Sequence, residues 1–230
     1  MEQLSAGLSF DYPYVAATHI PSKQTATQRK GRQKDQEAAE NAQSRQPVSR
    51  TWRSATFGKE QSDPFVYGNA VHRAMQYIHF SECGSKAKIE LELKRLQQEG
   101  YLSAEECSLI NSKSLTSFFE TALGKKLRES KTVLREFKFS VLEDADIADP
   151  TLQGEKVLLQ GVVDCAIIES DGIIIIDFKT DRTDESMLPQ LAESYRPQVD
   201  SYASAMEKIY ELPVKEKFLY FFNPGKLVKL

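Results

Sequence analysis

Three residues carry the most reactive pattern in this sequence: Asp164, Asp177 and Lys179. Between the two acids lies Glu169-Ser-Asp-Gly172, a tight-turn signal. A two-residue loop at Ser170-Asp171 would pair Glu169 with Gly172. Counting outward then sets Asp164 opposite Asp177, with Cβ atoms about 5 Å apart on one face of a hairpin. Side chains alternate along a strand, so Lys179 shares the face of Asp177. Two carboxylates held that close repel each other, and burying them costs several kcal/mol unless a proton or cation intervenes. A divalent ion is the natural partner. Mg²⁺ takes one or two carboxylates and keeps its other positions for water and phosphate oxygens. An ion so placed polarises a phosphate and acidifies a bound water, while Lys179 could orient that water or offset charge developing on the phosphate. The plainer alternative is a surface hairpin with an Asp–Lys ion pair. The setting favours chemistry, because the polar block Asp177-Phe-Lys-Thr-Asp181 terminates the apolar run Ile173–Ile176.

Other residues gather around this trio. His72, in Gly68-Asn-Ala-Val-His72, could complete a metal site, and its nitrogen would admit Mn²⁺ beside Mg²⁺. His79 lies two turns further along and reads as an ordinary packed histidine. Glu136, between Arg135 and Phe137, could reach the ion or hold Lys179, or be an exposed strand carboxylate. Tyr195, Gln198 and Tyr202 share one helix face by their spacing. The tyrosines suit a core. Gln198 suits it less, because a buried amide needs partners that a phosphate or a base would supply.

The elements that must position these groups can be read from periodicity. Gly68–Phe80 and Lys86–Glu99 have helical spacing of apolar residues, and Gly100 stops the second. Ser103-Ala-Glu-Glu106 is a capping box opening a third helix. Ser114–Leu123 reads as helix ended by Gly124. Thr132–Leu142 alternates, with Val133, Arg135, Phe137 and Phe139 on one side and Leu134, Glu136, Lys138 and Ser140 on the other. Val157–Ile168 and Gly172–Phe178 are β-branched runs suited to strands buried on both faces. Tyr195–Tyr210 reads as helix, with Pro197 acceptable only in its first turn, and Lys217–Phe222 as a last strand. The order predicts an α/β fold with a mixed central sheet flanked by helices. The compact part begins near Phe65, giving an extended arm and basic linker over 1–64 and a folded domain over 65–230. Within the former, Lys23–Arg50 has almost no large apolar side chain and reads as a flexible, positively charged linker.

Composition limits the alternatives. The chain has 230 residues, 40% hydrophobic and 27% charged, with a formal net charge of −3, so bulk charge alone would not capture nucleic acid. No apolar run approaches the roughly 20 residues that span a bilayer. Met1–Phe10 lacks a basic patch followed by an apolar stretch, so no signal peptide is expected. The three cysteines are scattered, as expected for reduced thiols in the cytoplasm, and are too few for a four-cysteine iron–sulfur cluster. No Gly-x-x-x-x-Gly-Lys-Ser/Thr loop is present, so no ATP site is expected in this chain.

Taken in order, Gly68-x-x-x-His72, Glu136, Gln160-Gly-Val-Val-Asp164, Asp177-Phe-Lys179-Thr-Asp181 and Tyr195-x-x-Gln198-x-x-x-Tyr202 resemble the RecB-like branch of the PD-(D/E)XK (restriction-endonuclease-like) nucleases. The likeness spans 65–222. Pro21-Ser-Lys23, Leu134-Arg-Glu-Phe137 and Leu158-Leu-Gln-Gly161 look like the C-terminal nuclease domains of AddA-type helicase–nuclease subunits. Phe178 replaces the second acid of the general motif, in the D-x-K form common in that branch. The resemblance implies a metal held by His72, Asp164, Asp177 and the main-chain carbonyl of Phe178, with Asp164, Asp177 and Lys179 catalytic. Glu136, Gln198, Tyr202 and Tyr195 would support the site or contact DNA. It further implies a helicase motor preceding this domain, tethered through the basic linker, and an AddB-type partner subunit that carries the iron–sulfur cluster this chain lacks. The implied substrate is single-stranded DNA, cut on the 3′-terminated strand while double-strand breaks are processed for recombination. Two other readings stand beside it: a non-catalytic DNA-binding or docking module on the same fold, and a free-standing nuclease acting on RNA or duplex ends.

Overall fold

A computed structural model describes residues 22–28, 64–145 and 154–230. Its centre is a six-stranded mixed sheet. The strands are β1 (Lys23–Thr25), β2 (Val133–Asp144), β3 (Lys156–Glu169), β4 (Gly172–Lys179), β5 (Val214–Phe221) and β6 (Lys226–Lys229). β2 runs antiparallel along nearly the whole of β3, from Val133↔Ile167 to Asp144↔Lys156. The other edge of β3 is shared. β1 takes Leu158–Gln160 in parallel, and β4 takes Cys165–Glu169 as an antiparallel hairpin. β5 continues the sheet parallel to β4, and β6 closes it antiparallel to β5.

Two helical layers cover the sheet. On one face lie α1 (Pro64–Tyr77), α2 (Lys86–Gln98), α3 (Ala104–Leu109), α4 (Ser112–Glu120) and α5 (Ala122–Glu129). Their starts are set locally. Ser85, Ser103, Asn111 and Thr121 each accept a first-turn N–H, and Ser103 with Glu106 forms the predicted capping box. On the other face lies the single long helix α6 (Leu188–Tyr210). Ile174, Ile176 and Phe178 of β4 pack with the first layer; Ile173 and Ile175 pack with α6. This two-sided burial is why the run Ile173–Ile176 is uniformly apolar. Each such side chain contributes roughly 1.5–3 kcal/mol. No helix among the described residues is long and apolar enough to cross a membrane.

Four sequence expectations need correction. Lys23–Thr25, assigned to a flexible linker, is a strand; it is polar because it lies at a sheet margin, and backbone pairing to β3 holds it. The rest of the linker and the N-terminal arm lie outside the described residues. Gly124 does not end a helix. Thr121 ends α4 and caps α5, and Gly124 sits inside α5 because a Cβ there would lie 2.1 Å from the Phe118 carbonyl oxygen. Pro197 stands well inside α6, not in its first turn. Both it and Glu193, whose carbonyl loses its helical donor, are exposed residues on the solvent side of the helix. Finally, β2 does not keep one alternation. Val133 packs with the α1–α5 layer, and the Arg135 guanidinium lies 3.6 Å from the centre of the Phe80 ring there. Phe137, Phe139 and Val141 face α6 instead.

Candidate active site

The change of face occurs at Glu136, which has φ of 47° and drops out of the pairing between Arg135↔Cys165 and Phe137↔Val163. A positive φ is uncommon for a residue with a Cβ and marks local strain. β3 switches with it: Leu159 and Val163 face α6, whereas Cys165 and Ile167 face the other layer. The switch point on β3 is Asp164. On the opposite edge, the hairpin ladder stops at Cys165↔Ile176, one position before Asp164 and Asp177 would pair. The Glu169↔Gly172 register expected from the turn is present, but the expected direct pairing of Asp164 with Asp177 does not form, because the ladder ends one position short of it. What was not predicted is that both neighbours of Asp164 disengage from it, freeing its carboxylate.

That carboxylate occupies the gap. Asp164 Oδ2 accepts a 2.8 Å hydrogen bond from Phe178 N–H, which a continued ladder would have directed to the backbone of β3. Within a strand, N–H and C=O of one residue point to the same side, so the Phe178 carbonyl is aimed at the same opening. His72 approaches from α1, with Nδ1 3.5 Å from Asp164 Oδ2 and 3.9 Å from Glu136 Oε1. Ligand atoms of His72, Glu136 and Asp164 all lie within 4.8 Å of one another. Gly68 allows α1 this close, since a Cβ there would meet Thr180 Oγ1 at 3.0 Å.

Asp177 and Lys179 project on the α6 side. Asp177 is 1% exposed, and its Oδ2 lies 2.6 Å from Lys179 Nζ without hydrogen-bond alignment. Lys179 Nζ also donates to Gln198 Oε1 at 3.3 Å and lies 3.9 Å from the centre of the Tyr195 ring. Gln198 Nε2 donates to the Tyr202 hydroxyl at 2.7 Å, and the Tyr195 hydroxyl donates to Asp181 Oδ2 at 2.8 Å. The sequence reading gave the amide of buried Gln198 a phosphate or a base as partner; in the structure Lys179 and Tyr202 take that place. Gly161 makes room for the Phe139 ring, which a Cβ there would meet at 2.6 Å, and beside it for that tyrosine at 3.2 Å.

The electrostatics follow from three carboxylates facing one lysine and one histidine. Burial pushes the Asp177 carboxyl up to about 6, reinforced by the Asp164 charge and opposed by Lys179. Burial also opposes ionisation of Asp164, yet His72, Lys179 and the Phe178 N–H hold that carboxyl below its ordinary range. Burial alone would lower His72. Its side chain keeps 32% of its surface open, however, and the Asp164 and Glu136 charges raise it to about 10. Tyr202 is raised by burial and then by Asp177. A protonated imidazole between two carboxylates stands where a metal cation would be welcome.

All eight residues singled out from the sequence thus converge with Phe178. The ligand cluster differs from expectation in one respect: Glu136 stands with His72 and Asp164, whereas Asp177 is turned to Lys179. His79 is apart from the site, paired with Glu92 at 3.3 Å. The site opens into a cleft of about 420 Å³, whose walls include Tyr67, His72, Lys179, Thr180, Arg182 and Tyr195. Tyr67, Thr180 and Arg182 were not singled out as site residues. Tyr67 adjoins Gly68, and the others adjoin or interrupt the D-F-K-T-D block, the one available signal. A larger hollow of about 600 Å³ beside Leu188 and Val228 is mostly apolar and holds no such cluster, so the smaller cleft is where chemistry is possible.

Residues 45–229 match the PD-(D/E)XK nuclease superfamily. The chain belongs to that superfamily. It is 35% identical, over all of its length, to the A-type subunit of an ATP-dependent helicase/nuclease from Bacillus cereus (strain Q1). It is 34% identical over 97% of its length to the protein of the same name from Bacillus cytotoxicus. In both cases it spans only 19% of the relative. Among solved structures, SSO0001 overlaps 72% of this chain and 74% of its own at 14% identity, with a TM-score of 0.35, too loose an overlap to bear on function. Membership gives the six-stranded α/β sheet its family: this is a PD-(D/E)XK fold.

Proposed function

We propose that this chain is the metal-dependent nuclease domain of a helicase–nuclease, hydrolysing phosphodiester bonds of single-stranded DNA, on the 3′-terminated strand, during processing of double-strand breaks for recombination. The observation that carries the reading is the His72–Glu136–Asp164 cluster set beside the Asp177–Lys179 pair at the mouth of an open cleft. The donor set of one imidazole nitrogen, carboxylates and a strand carbonyl suits Mg²⁺, or Mn²⁺ through the nitrogen. His72, Asp164, Asp177 and the Phe178 carbonyl would hold the ion, with Glu136 as a further ligand or as the carboxylate that orients His72. When bound, the metal supplies Lewis acidity toward the phosphate and an acidified water.

The remaining work falls to the chain. Lys179 brings a positive charge beside the reacting phosphate, in reach of both Asp177 and Gln198. Gln198 fixes the lysine head because its own amide is anchored on Tyr202, and the Tyr195 ring closes a third side. Such fixed charge is effective because it needs no reorganisation during reaction. A motor in the full-length protein would deliver the strand, with an AddB-type protein as partner and the cytoplasm as location. Delivery by a motor makes bulk basic charge unnecessary, in keeping with the net charge of −3.

The test uses one labelled single strand, its duplex and its RNA counterpart, each with Mg²⁺ or with EDTA, and wild type beside Asp177→Ala. The expected result is Mg²⁺-dependent cutting of single-stranded DNA from the 3′ end by wild type alone. Equal cutting by Asp177→Ala would reject the site. Binding without turnover would favour the non-catalytic docking module, and preference for RNA or duplex would reject the substrate.

A further inference from the structure

The cleft wall holds two charged side chains that the reading above does not use, Asp181 and Arg182. Arg182 is exposed, lines the cleft, and makes no ion pair or hydrogen bond among the described residues. Two of the acids near it in the chain are already engaged. Asp181 is committed to the Tyr195 hydroxyl, and Glu185 pairs with Lys226 at 3.2 Å. Elsewhere on the surface, Arg95, Arg196, Lys215 and Lys217 all have carboxylate partners. An unpaired guanidinium at the rim of a site for a polyanion is available to that polyanion without first breaking a bond.

The segment carrying it is built, not loose. The Lys179 carbonyl accepts from Phe222 N–H at 2.8 Å, Thr180 Oγ1 faces the Gly68 backbone, and Asp181 is tied to α6. Tyr67, in the same cleft, has its hydroxyl close to Ser114 and Asn223 and within the field of Arg182. The guanidinium is therefore offered from a fixed wall, three residues beyond Lys179 and outside the acid cluster.

We propose that Arg182 forms a phosphate subsite for the linkage next to the one being cut, gripping the nucleic-acid backbone at the cleft rim. This rests on the nuclease reading of the same site. A guanidinium presents paired N–H donors that match two phosphate oxygens, a fit that lysine lacks. The contact carries no base information, and it sets which linkage reaches Lys179.

The experiment measures binding of a fluorescent oligothymidylate to the 230-residue chain in EDTA over a salt series, for wild type, Arg182→Ala and Arg182→Lys. Arg182→Ala should bind about tenfold more weakly, with a salt slope smaller by about 0.7. Arg182→Lys should keep the slope while losing part of the affinity. Oligomers carrying one neutral methylphosphonate at successive linkages then locate the contact: at one linkage, wild type and Arg182→Ala should bind alike. Equal affinity and slope for wild type and Arg182→Ala, or a deficit that no neutral linkage abolishes, would overturn the subsite. Mg²⁺-dependent cutting by wild type in the same preparation separates the two failures. If cutting is seen and Arg182 is silent, only the subsite falls; if no strand is cut, the nuclease reading falls with it.

Discussion

The two ends of the β3–β4 hairpin carry nearly the same side chains and behave differently. At the turn, Glu169 and Asp171 meet Lys126 and Lys215, with Lys215 Nζ 3.2 Å from Glu169 and 2.6 Å from Asp171. At the open end, Asp164 and Asp177 meet Lys179 and His72. The turn cluster is solvated, and its acids are held below their usual range by the lysines beside them. The open end is enclosed: one acid is pushed up to about 6 and a histidine is held at about 10. Acid–lysine composition therefore does not make a site. Burial, with one carboxylate more than the local cations satisfy, creates the demand for a metal.

Substituting the equivalent lysine at each end should break the comparison most sharply. Lys179→Ala is expected to lower the cleavage rate on the order of 10³-fold, whereas Lys215→Ala should leave it at the wild-type value. Single-turnover cutting of one labelled strand measures both, and comparable losses would mean that the two clusters are not different in kind. Next in size, His72→Ala and Glu136→Gln should each weaken metal binding about 10–100-fold by calorimetry, and Asp171→Asn should not weaken it. An unaffected Glu136→Gln protein would remove that carboxylate from the metal's surroundings and leave its backbone strain unexplained.

A smaller effect is expected from pH. The folded pKa of His72 is raised, so its contribution to stability is complete below about 6.5 and is lost as pH rises through about 10. The metal-free protein should thus melt at progressively lower temperature across that window, and His72→Ala should flatten the decline. Metal needs the neutral imidazole, so binding should release a proton there and its stabilisation should grow with pH. A melting temperature independent of pH over the window would show that His72 is not held protonated. The smallest expected effect is at the turn, where Asp171→Asn should leave the melting temperature within experimental error. A clear shift would mean that the solvated cluster holds the hairpin register.

Much of this was legible beforehand because it is local or periodic. The turn residues set the hairpin register, the double-sided apolar run marked β4 as central, and Ser103 with Glu106 announced a helix start. The shared side of Asp177 and Lys179 follows from alternation along one strand, whereas the place of Asp164 does not, because its expected pairing with Asp177 is broken. What escaped depends on tertiary partners. Lys23–Thr25 has no strand signal of its own and is ordered by the edge of β3. Pro197 is tolerated because its face of α6 is wet, which its sequence neighbours do not reveal. Alternation along β2 failed at Glu136 because a dihedral there, not a residue type, reverses the faces. That reversal brings Glu136 and Asp164 to His72, so the least readable part of the sheet is the part that assembles the ligand cluster.

One edge of β3 serves β1 up to Gln160 and β4 from Cys165. The interval between them, 161–164, belongs to neither neighbour. On its other edge the interval pairs with β2 through Gly161, Val162 and Val163, so a single added residue would have to bulge against β2 and would turn Asp164 out of the notch. The centre is thus specified by spacing as firmly as by chemical identity, and a chain with every motif letter intact but one residue too many there would be a well-folded blank.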